Sequence, residues 1–220
     1  MKGVLVGDDH LCLMDRSRLR FAENVDTCTF GVEGATAESL LAKVRQLNFA
    51  PLDFVVVCVG GQDLSDGRDF ADIRTDILAL LEFLRTVTPV LFVFRVLPRG
   101  GATAEAEAAR RKLNRVLVSA MREMVDVVII NADTKFIDKE KRPKEAYFGE
   151  DGYISPYLGV RALANLLELA VIKRLGAQWA SPIPRIQLVF CRHCEAEHHW
   201  TDQCWAFRRS PEPASRVDDV

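Results

Sequence analysis

Short apolar runs alternate with amphipathic segments along the first 180 residues of the chain. The apolar runs predict strands at residues 3–6, 26–30, 53–59, 89–97 and 125–130. Apolar residues at helical spacing predict helices at 35–47, 69–87, 102–124 and 156–175. The run DFVVVCV at 53–59 is continuous, which is typical of parallel strands covered on both faces. The pattern therefore predicts an α/β fold, a three-layer α/β/α sandwich around a five-stranded parallel sheet.

The sequence changes character after Gly176. Residues 1–176 form the predicted α/β domain, and residues 177–187, with two prolines, indicate a linker. Residues 188–209 are rich in cysteine and histidine. Residues 210–220 are polar and predict a disordered tail.

Composition and charge narrow the class of protein. The chain is 49% hydrophobic and 27% charged, as in ordinary globular proteins, and its net charge is −2. No global basic field favours nucleic acid, so any such binding needs a local patch. The first residues lack the pattern of a signal peptide, and no apolar run is long enough to span a membrane. We therefore expect an intracellular, cytoplasmic protein that does not contact a membrane.

Four polar blocks stand at the predicted strand ends and before the last helix, where α/β folds place ligands. The blocks are VGDDH at 6–10, GVEGAT at 31–36, GGQD at 60–63 and EDGYISP at 150–156. In order and spacing they resemble the blocks of the SGNH (GDSL-like) hydrolase family over about residues 3–175. The segment VLPR at 96–99 looks like the intracellular members, including those of retroelements.

The resemblance assigns each catalytic position of the family to a residue of this chain. The nucleophilic serine falls on Asp9, the oxyanion glycine on Gly34 and the oxyanion asparagine on Gln62. The aspartate and histidine of the last block fall on Asp151 and Ile154. Asp9 has no hydroxyl to attack a carbonyl, and Ile154 cannot accept a proton. The resemblance thus implies a catalytically degenerate member, a pseudo-enzyme.

Two other interpretations of these residues remain open. A rebuilt site could hold a divalent cation through Asp8, Asp9, His10, Asp63 and Asp151. Alternatively, Asp8 and Asp9 cap a helix after the first strand, and His10 is a partly exposed residue of its first turn.

The six cysteines divide into two groups. Cys12, Cys28 and Cys58 lie among apolar neighbours and are expected to be small buried thiols. The others match the CCHC zinc knuckle of retroviral nucleocapsid proteins, with Cys-x2-Cys-x4-His-x4-Cys spacing. Three thiolates and one imidazole suit one structural Zn²⁺ in tetrahedral geometry. The predicted ligands are Cys191, Cys194, His199 and Cys204.

Aromatic and basic residues flank these zinc ligands. They favour stacking on unpaired bases, with arginine contacts to phosphates. Two glutamates between the second cysteine and the histidine depart from the knuckle pattern and weaken the electrostatic case. Alternatively, the tryptophans pack on the α/β domain or bind a protein. The candidate contacts are Arg185, Arg192, Trp200, Trp205, Arg208 and Arg209.

The leading hypothesis is a non-catalytic SGNH-like protein that binds single-stranded RNA or serves as a ribonucleoprotein scaffold. The resembled family supplies a precedent, because one of its members is a non-catalytic domain that binds RNA. The alternatives are a protein-interaction module without nucleic-acid binding and a hydrolase with a rebuilt active site.

Overall fold

A sheet of five parallel strands forms the centre of the protein, in the order β2-β1-β3-β4-β5. The structure, a computed structural model, describes residues 1–14, 26–155 and 157–175. The predicted linker, zinc segment and tail lie outside the described residues. The strands are β1 (Lys2–Gly7), β2 (Asp26–Gly31), β3 (Phe54–Cys58), β4 (Leu91–Phe94) and β5 (Val127–Ile130).

Helices cover both faces of the sheet, which confirms the predicted three-layer sandwich. Helices α2, α4 and α5 pack on one face, and α1, α6 and α7 pack on the other. Among the described residues, no helix combines the length and the apolar character that crossing a bilayer requires. The helices are α1 (Asp9–Cys12), α2 (Ala37–Val44), α3 (Gly61–Ser65), α4 (Phe70–Leu84), α5 (Ala104–Met121), α6 (Asp133–Phe136) and α7 (Leu158–Leu175).

The central strand β3 divides the core into two apolar clusters. Its side chains alternate between the faces of the sheet, so that Val55 and Val57 join one cluster while Phe54 and Val56 join the other. All four are fully buried. Burial on both faces explains why this strand is continuously apolar rather than alternating.

The structure differs from the sequence-based expectations in the short elements and in two thiols. Helices α1, α3 and α6 have four or five residues each and carry no helical periodicity that could reveal them. Cys58 is buried as expected, but Cys12 and Cys28 are exposed, which corrects that prediction. Cys28 lies on β2, an edge strand of the sheet, where covering by neighbours is less complete.

A buried asparagine fixes the chain just beyond the end of β4. Asn114 of α5 accepts a hydrogen bond from the Val96 N–H through Oδ1 (2.8 Å) and donates one to the Val96 carbonyl through Nδ2 (3.0 Å). Arg110 Nη1 also donates to this carbonyl, at 2.7 Å. These bonds satisfy backbone groups that no strand partner reaches.

Replacing Asn114 with alanine should lower the free energy of unfolding by about 2–3 kcal/mol, because the buried Val96 N–H loses its acceptor. Ser119→Ala, at an exposed position of the same helix, should change it by less than about 0.5 kcal/mol. Urea unfolding of both variants checks this. Equal stability of the two variants would contradict the importance of the Asn114 bonds.

Candidate functional site

The ends of β1 and β2 bring two of the predicted site residues into direct contact. Asp9 opens α1 immediately after β1, and Gly34 lies in the loop after β2. The Asp9 carboxylate accepts a hydrogen bond from the Gly34 N–H at 3.0 Å. Gly34 has a φ of +64°, a conformation that glycine adopts without strain. The backbone donor at the predicted oxyanion position is therefore bonded to a side chain of the protein.

Asp8 caps α1, which confirms the helix-cap interpretation for this residue. Its carboxyl group accepts a hydrogen bond from the His10 N–H at 3.2 Å. The side chain is buried, and this burial raises the pKa of Asp8 to about 7. The group thus fixes the start of α1 directly after β1.

His10 is buried, which corrects the expectation of a partly exposed residue. Its ring meets the Tyr153 ring edge-on, with centroids 5.3 Å apart. Nδ1 is buried and has no hydrogen-bond partner among the described residues. Burial, assisted by the charge of Arg99, lowers the pKa of His10 to about 4. The imidazole is therefore neutral at physiological pH.

Arg99 contacts several residues of the site, and its role there was not predicted from the sequence. Its guanidinium lies 4.5 Å from the centre of the Tyr153 ring. Nη1 donates to Ser65 Oγ at 3.0 Å, and Nη2 lies 3.4 Å from the Asp151 carbonyl oxygen. Its place after β4, at the same edge of the sheet as the other blocks, was the signal that could have identified it.

Gln62 and Asp63 of α3 both bond within the protein. Gln62 Nε2 donates to Asp66 Oδ1 at 2.7 Å. Asp63 is fully buried and accepts hydrogen bonds from the Ala37 N–H (3.0 Å) and from Arg68 Nη1 (2.6 Å). Burial raises the pKa of Asp63, although these donors partly oppose the shift.

The loop that precedes α7, called the late loop, places the remaining two predicted residues, Asp151 and Ile154, apart from each other. Asp151 Oδ1 accepts a hydrogen bond from the Tyr153 N–H at 2.9 Å and so shapes a turn at Gly152. Ile154 is 1% exposed and belongs to the apolar cluster beneath α7. Its backbone pairs with Phe148 in an antiparallel bridge. Ile154 is thus a core residue at the position that the resemblance assigns to a base.

The alternative of a rebuilt cation site has no support from this geometry. Within residues 1–14, 26–155 and 157–175, no three histidine, cysteine, aspartate or glutamate side chains form a group that could hold a metal ion. Asp63, one of the five predicted ligands, bonds to Arg68 and to the Ala37 N–H. The predicted zinc ligands and nucleic-acid contacts at residues 185–209 lie outside the described residues.

A family model identifies the fold. The model for the GDSL-like lipase/acylhydrolase family matches residues 13–157. The chain belongs to this family. The match contains Gly34, Gln62, Asp151 and Ile154 but begins after Asp9, so the assignment of Asp9 to the serine position rests on its place at the end of β1. No curated protein sequence matches the chain.

Solved structures with the same fold include lipolytic proteins and a domain of Drosophila Oskar. A GDSL-like lipase from Bacteroides thetaiotaomicron is 15% identical with a TM-score of 0.66, covering 78% of this chain and 88% of that chain. A lipolytic protein of the G-D-S-L family from Veillonella parvula is 17% identical with a TM-score of 0.61, covering 79% and 99%. The OSK domain of Drosophila Oskar is 18% identical with a TM-score of 0.60, covering 76% and 86%. At these identities the similarity concerns the fold alone.

Replacing His10 with leucine should reduce the loss of stability in mild acid. Because the pKa of His10 is about 4 in the folded protein and about 6.5 when exposed, the unfolded chain alone gains this proton between these values. His10 therefore destabilises the wild type as pH falls from 6.5 to 4, by about 1.5 kcal/mol between pH 6.5 and 5. Urea unfolding at both pH values measures the difference between wild type and His10→Leu. Identical losses in the two proteins would mean that His10 accepts a proton in the folded state.

Proposed function

We propose that the chain is a non-catalytic member of the GDSL-like lipase/acylhydrolase family that binds single-stranded RNA or serves as a ribonucleoprotein scaffold. The observation that carries the non-catalytic part is the hydrogen bond from the Gly34 N–H to the Asp9 carboxylate. This bond occupies the Gly34 N–H, a donor that an ester-hydrolysing relative would direct at its substrate.

The chemistry of Asp9 supports this proposal. Serine hydrolysis needs a hydroxyl nucleophile and donors aimed at the negative oxygen of the transition state. A carboxylate beside Gly34 supplies no hydroxyl, and its charge repels such an oxygen. One N–H of the Gln62 side-chain amide is donated to Asp66, so part of the donor capacity at this position is also engaged within the protein.

The surroundings of Ile154 also support the proposal that the chain is non-catalytic. An isoleucine cannot take the proton of a nucleophile. His10 is the nearest imidazole in the described part of the site, but it is buried against Tyr153, and its Nδ1 has no partner. No described serine or cysteine bonds to it, so the pair of nucleophile and base that defines the reaction is lacking among these residues.

The RNA-binding part of the proposal depends on residues 188–209. One structural Zn²⁺ held by Cys191, Cys194, His199 and Cys204 would fold this segment. Trp200 would then offer a stacking surface for unpaired bases, with further contacts from Trp205 and the flanking arginines.

A protein-interaction module is the second candidate, favoured by the net charge of −2. The two candidates differ in their response to salt. Binding to RNA weakens steeply as salt rises because counterions are released, whereas apolar protein docking depends little on salt.

The intact chain should hydrolyse p-nitrophenyl acetate and butyrate no faster than its Asp9→Ala variant, because Asp9 performs no chemistry. Glu33→Ala, which removes an exposed carboxylate from the neighbouring loop, is the matched control. Rates of p-nitrophenol release check this. Turnover that Asp9→Ala abolishes and Glu33→Ala preserves would instead establish a hydrolase with a rebuilt site.

Short labelled single-stranded RNAs should bind the zinc-loaded chain in fluorescence-anisotropy titrations, more weakly at high salt. Cys191→Ser/Cys194→Ser should lower the affinity at least tenfold because the segment loses its zinc and its fold. Cys12→Ser/Cys28→Ser, two exposed thiols of the α/β domain, should bind like the wild type. Absence of binding by the intact chain at low salt would overturn the RNA proposal and favour the protein-interaction module.

A further inference from the structure

A cleft of about 360 Å³ lies beside α5, away from the strand ends that carry Asp9 and Gly34. One arginine, Arg95, reaches it from the chain after β4, and three more project from α5. We call these four arginines, together with the cleft, the arginine groove. Its principal lining residues are Arg95, Arg111, Asn114, Arg115, Arg122 and Asp133.

Most of the positive charge in the arginine groove is not neutralised by the protein. The Nε atom of Arg95 is buried without a hydrogen-bond partner in the part of the chain that the structure describes. Arg115 and Arg122 are exposed, and neither forms a hydrogen bond or ion pair with a described residue. Arg111 donates to the Lys141 carbonyl at 3.2 Å and lies 3.7 Å from Glu107.

The neighbouring Arg110 of α5 has a structural role. It is buried and pairs with both Glu107 and Asp133. One of these carboxylates, Asp133, lines the cleft. Apart from the 3.7 Å approach of Arg111 to Glu107, the four arginines of the groove form no ion pair with a described residue.

The spacing of the arginines suits an extended polyanion. Residues 111, 115 and 122 lie on one side of α5 and span about 16 Å along it at 1.5 Å per residue. At 3.4 Å per nucleotide, a stacked strand covers this distance with about five nucleotides. Guanidinium groups bind phosphates through two parallel hydrogen bonds, so a row of them fits a phosphate backbone.

We infer that the arginine groove binds the phosphate backbone of single-stranded RNA. This inference rests on the proposed function and adds to it a contact surface on the α/β domain. It also explains how a chain with net charge −2 can attract RNA, because the field is local to one side of one helix.

The test compares Arg115→Gln/Arg122→Gln with Arg74→Gln/Arg85→Gln in the zinc-loaded full chain. Both variants remove two exposed positive charges that pair with no described residue, and Arg85 directly follows α4 as Arg122 directly follows α5. Anisotropy titrations with a labelled single-stranded RNA across a salt series give the slope of log K against log salt. Losing two phosphate contacts should reduce that slope by about 1.4 and weaken binding about twentyfold at 0.1 M salt.

The α4 variant should keep the wild-type slope, and Arg115→Lys/Arg122→Lys should retain most of it because the charge remains. If the intact chain binds RNA but the groove variant matches the wild type, the groove inference is wrong and the proposed function stands. Equal losses in the α4 and α5 variants would indicate a general charge effect and overturn the inference. If the intact chain binds no RNA, the proposed function itself fails.

Discussion

Aspartate side chains that accept hydrogen bonds from backbone N–H groups hold the carboxyl end of the sheet together. Asp8 bonds to the first turn of α1, Asp9 to the loop after β2, and Asp63 to the first turn of α2. The last two bonds join segments that are distant in sequence, and the carboxyl groups of Asp8 and Asp63 are buried. Burial of a carboxyl group costs free energy unless hydrogen-bond donors satisfy it. The aspartates therefore depend on the backbone N–H groups for their burial, and the loops depend on the aspartates for their conformation.

For a non-catalytic member of the family, as we propose, this arrangement explains how the fold persists without the groups that hydrolysis needs. The strand-end loops of a catalytic relative converge to place reacting atoms, whereas here the same convergence is stabilised by contacts within the protein. Arg99 bridges Ser65 and the late loop, and its guanidinium stacks on Tyr153. These contacts join the strand-end loops to one another, as polar contacts do elsewhere in folded proteins.

The sheet and its covering helices could be predicted from the sequence because hydrophobic periodicity determines them directly. The run at β3 and the long amphipathic α4 and α5 are examples. The burial of His10 and the position of Arg99 could not be predicted, because each depends on contacts with Tyr153, which is distant in the chain. The exposure of Cys28 likewise follows from the edge position of β2, which strand order determines and local pattern does not. The family resemblance assigned the site positions to Asp9, Gly34, Gln62, Asp151 and Ile154. Their bonding partners could not be predicted, because these depend on how the loops fold against one another.

The packing of Ile154 has an evolutionary consequence. A histidine at this position would place a polar ring in a space that apolar neighbours now fill, including the tight approach of Gly159, whose added Cβ would lie 2.8 Å from that of Ile154. A serine at position 9 would meanwhile release the Gly34 N–H but find no base beside it. On the proposed function, neither single change would restore hydrolysis, and the first one would lower the stability of the fold. A non-catalytic chain of this kind would then lose access to hydrolysis step by step, because repacking of the interior opposes the return of the base.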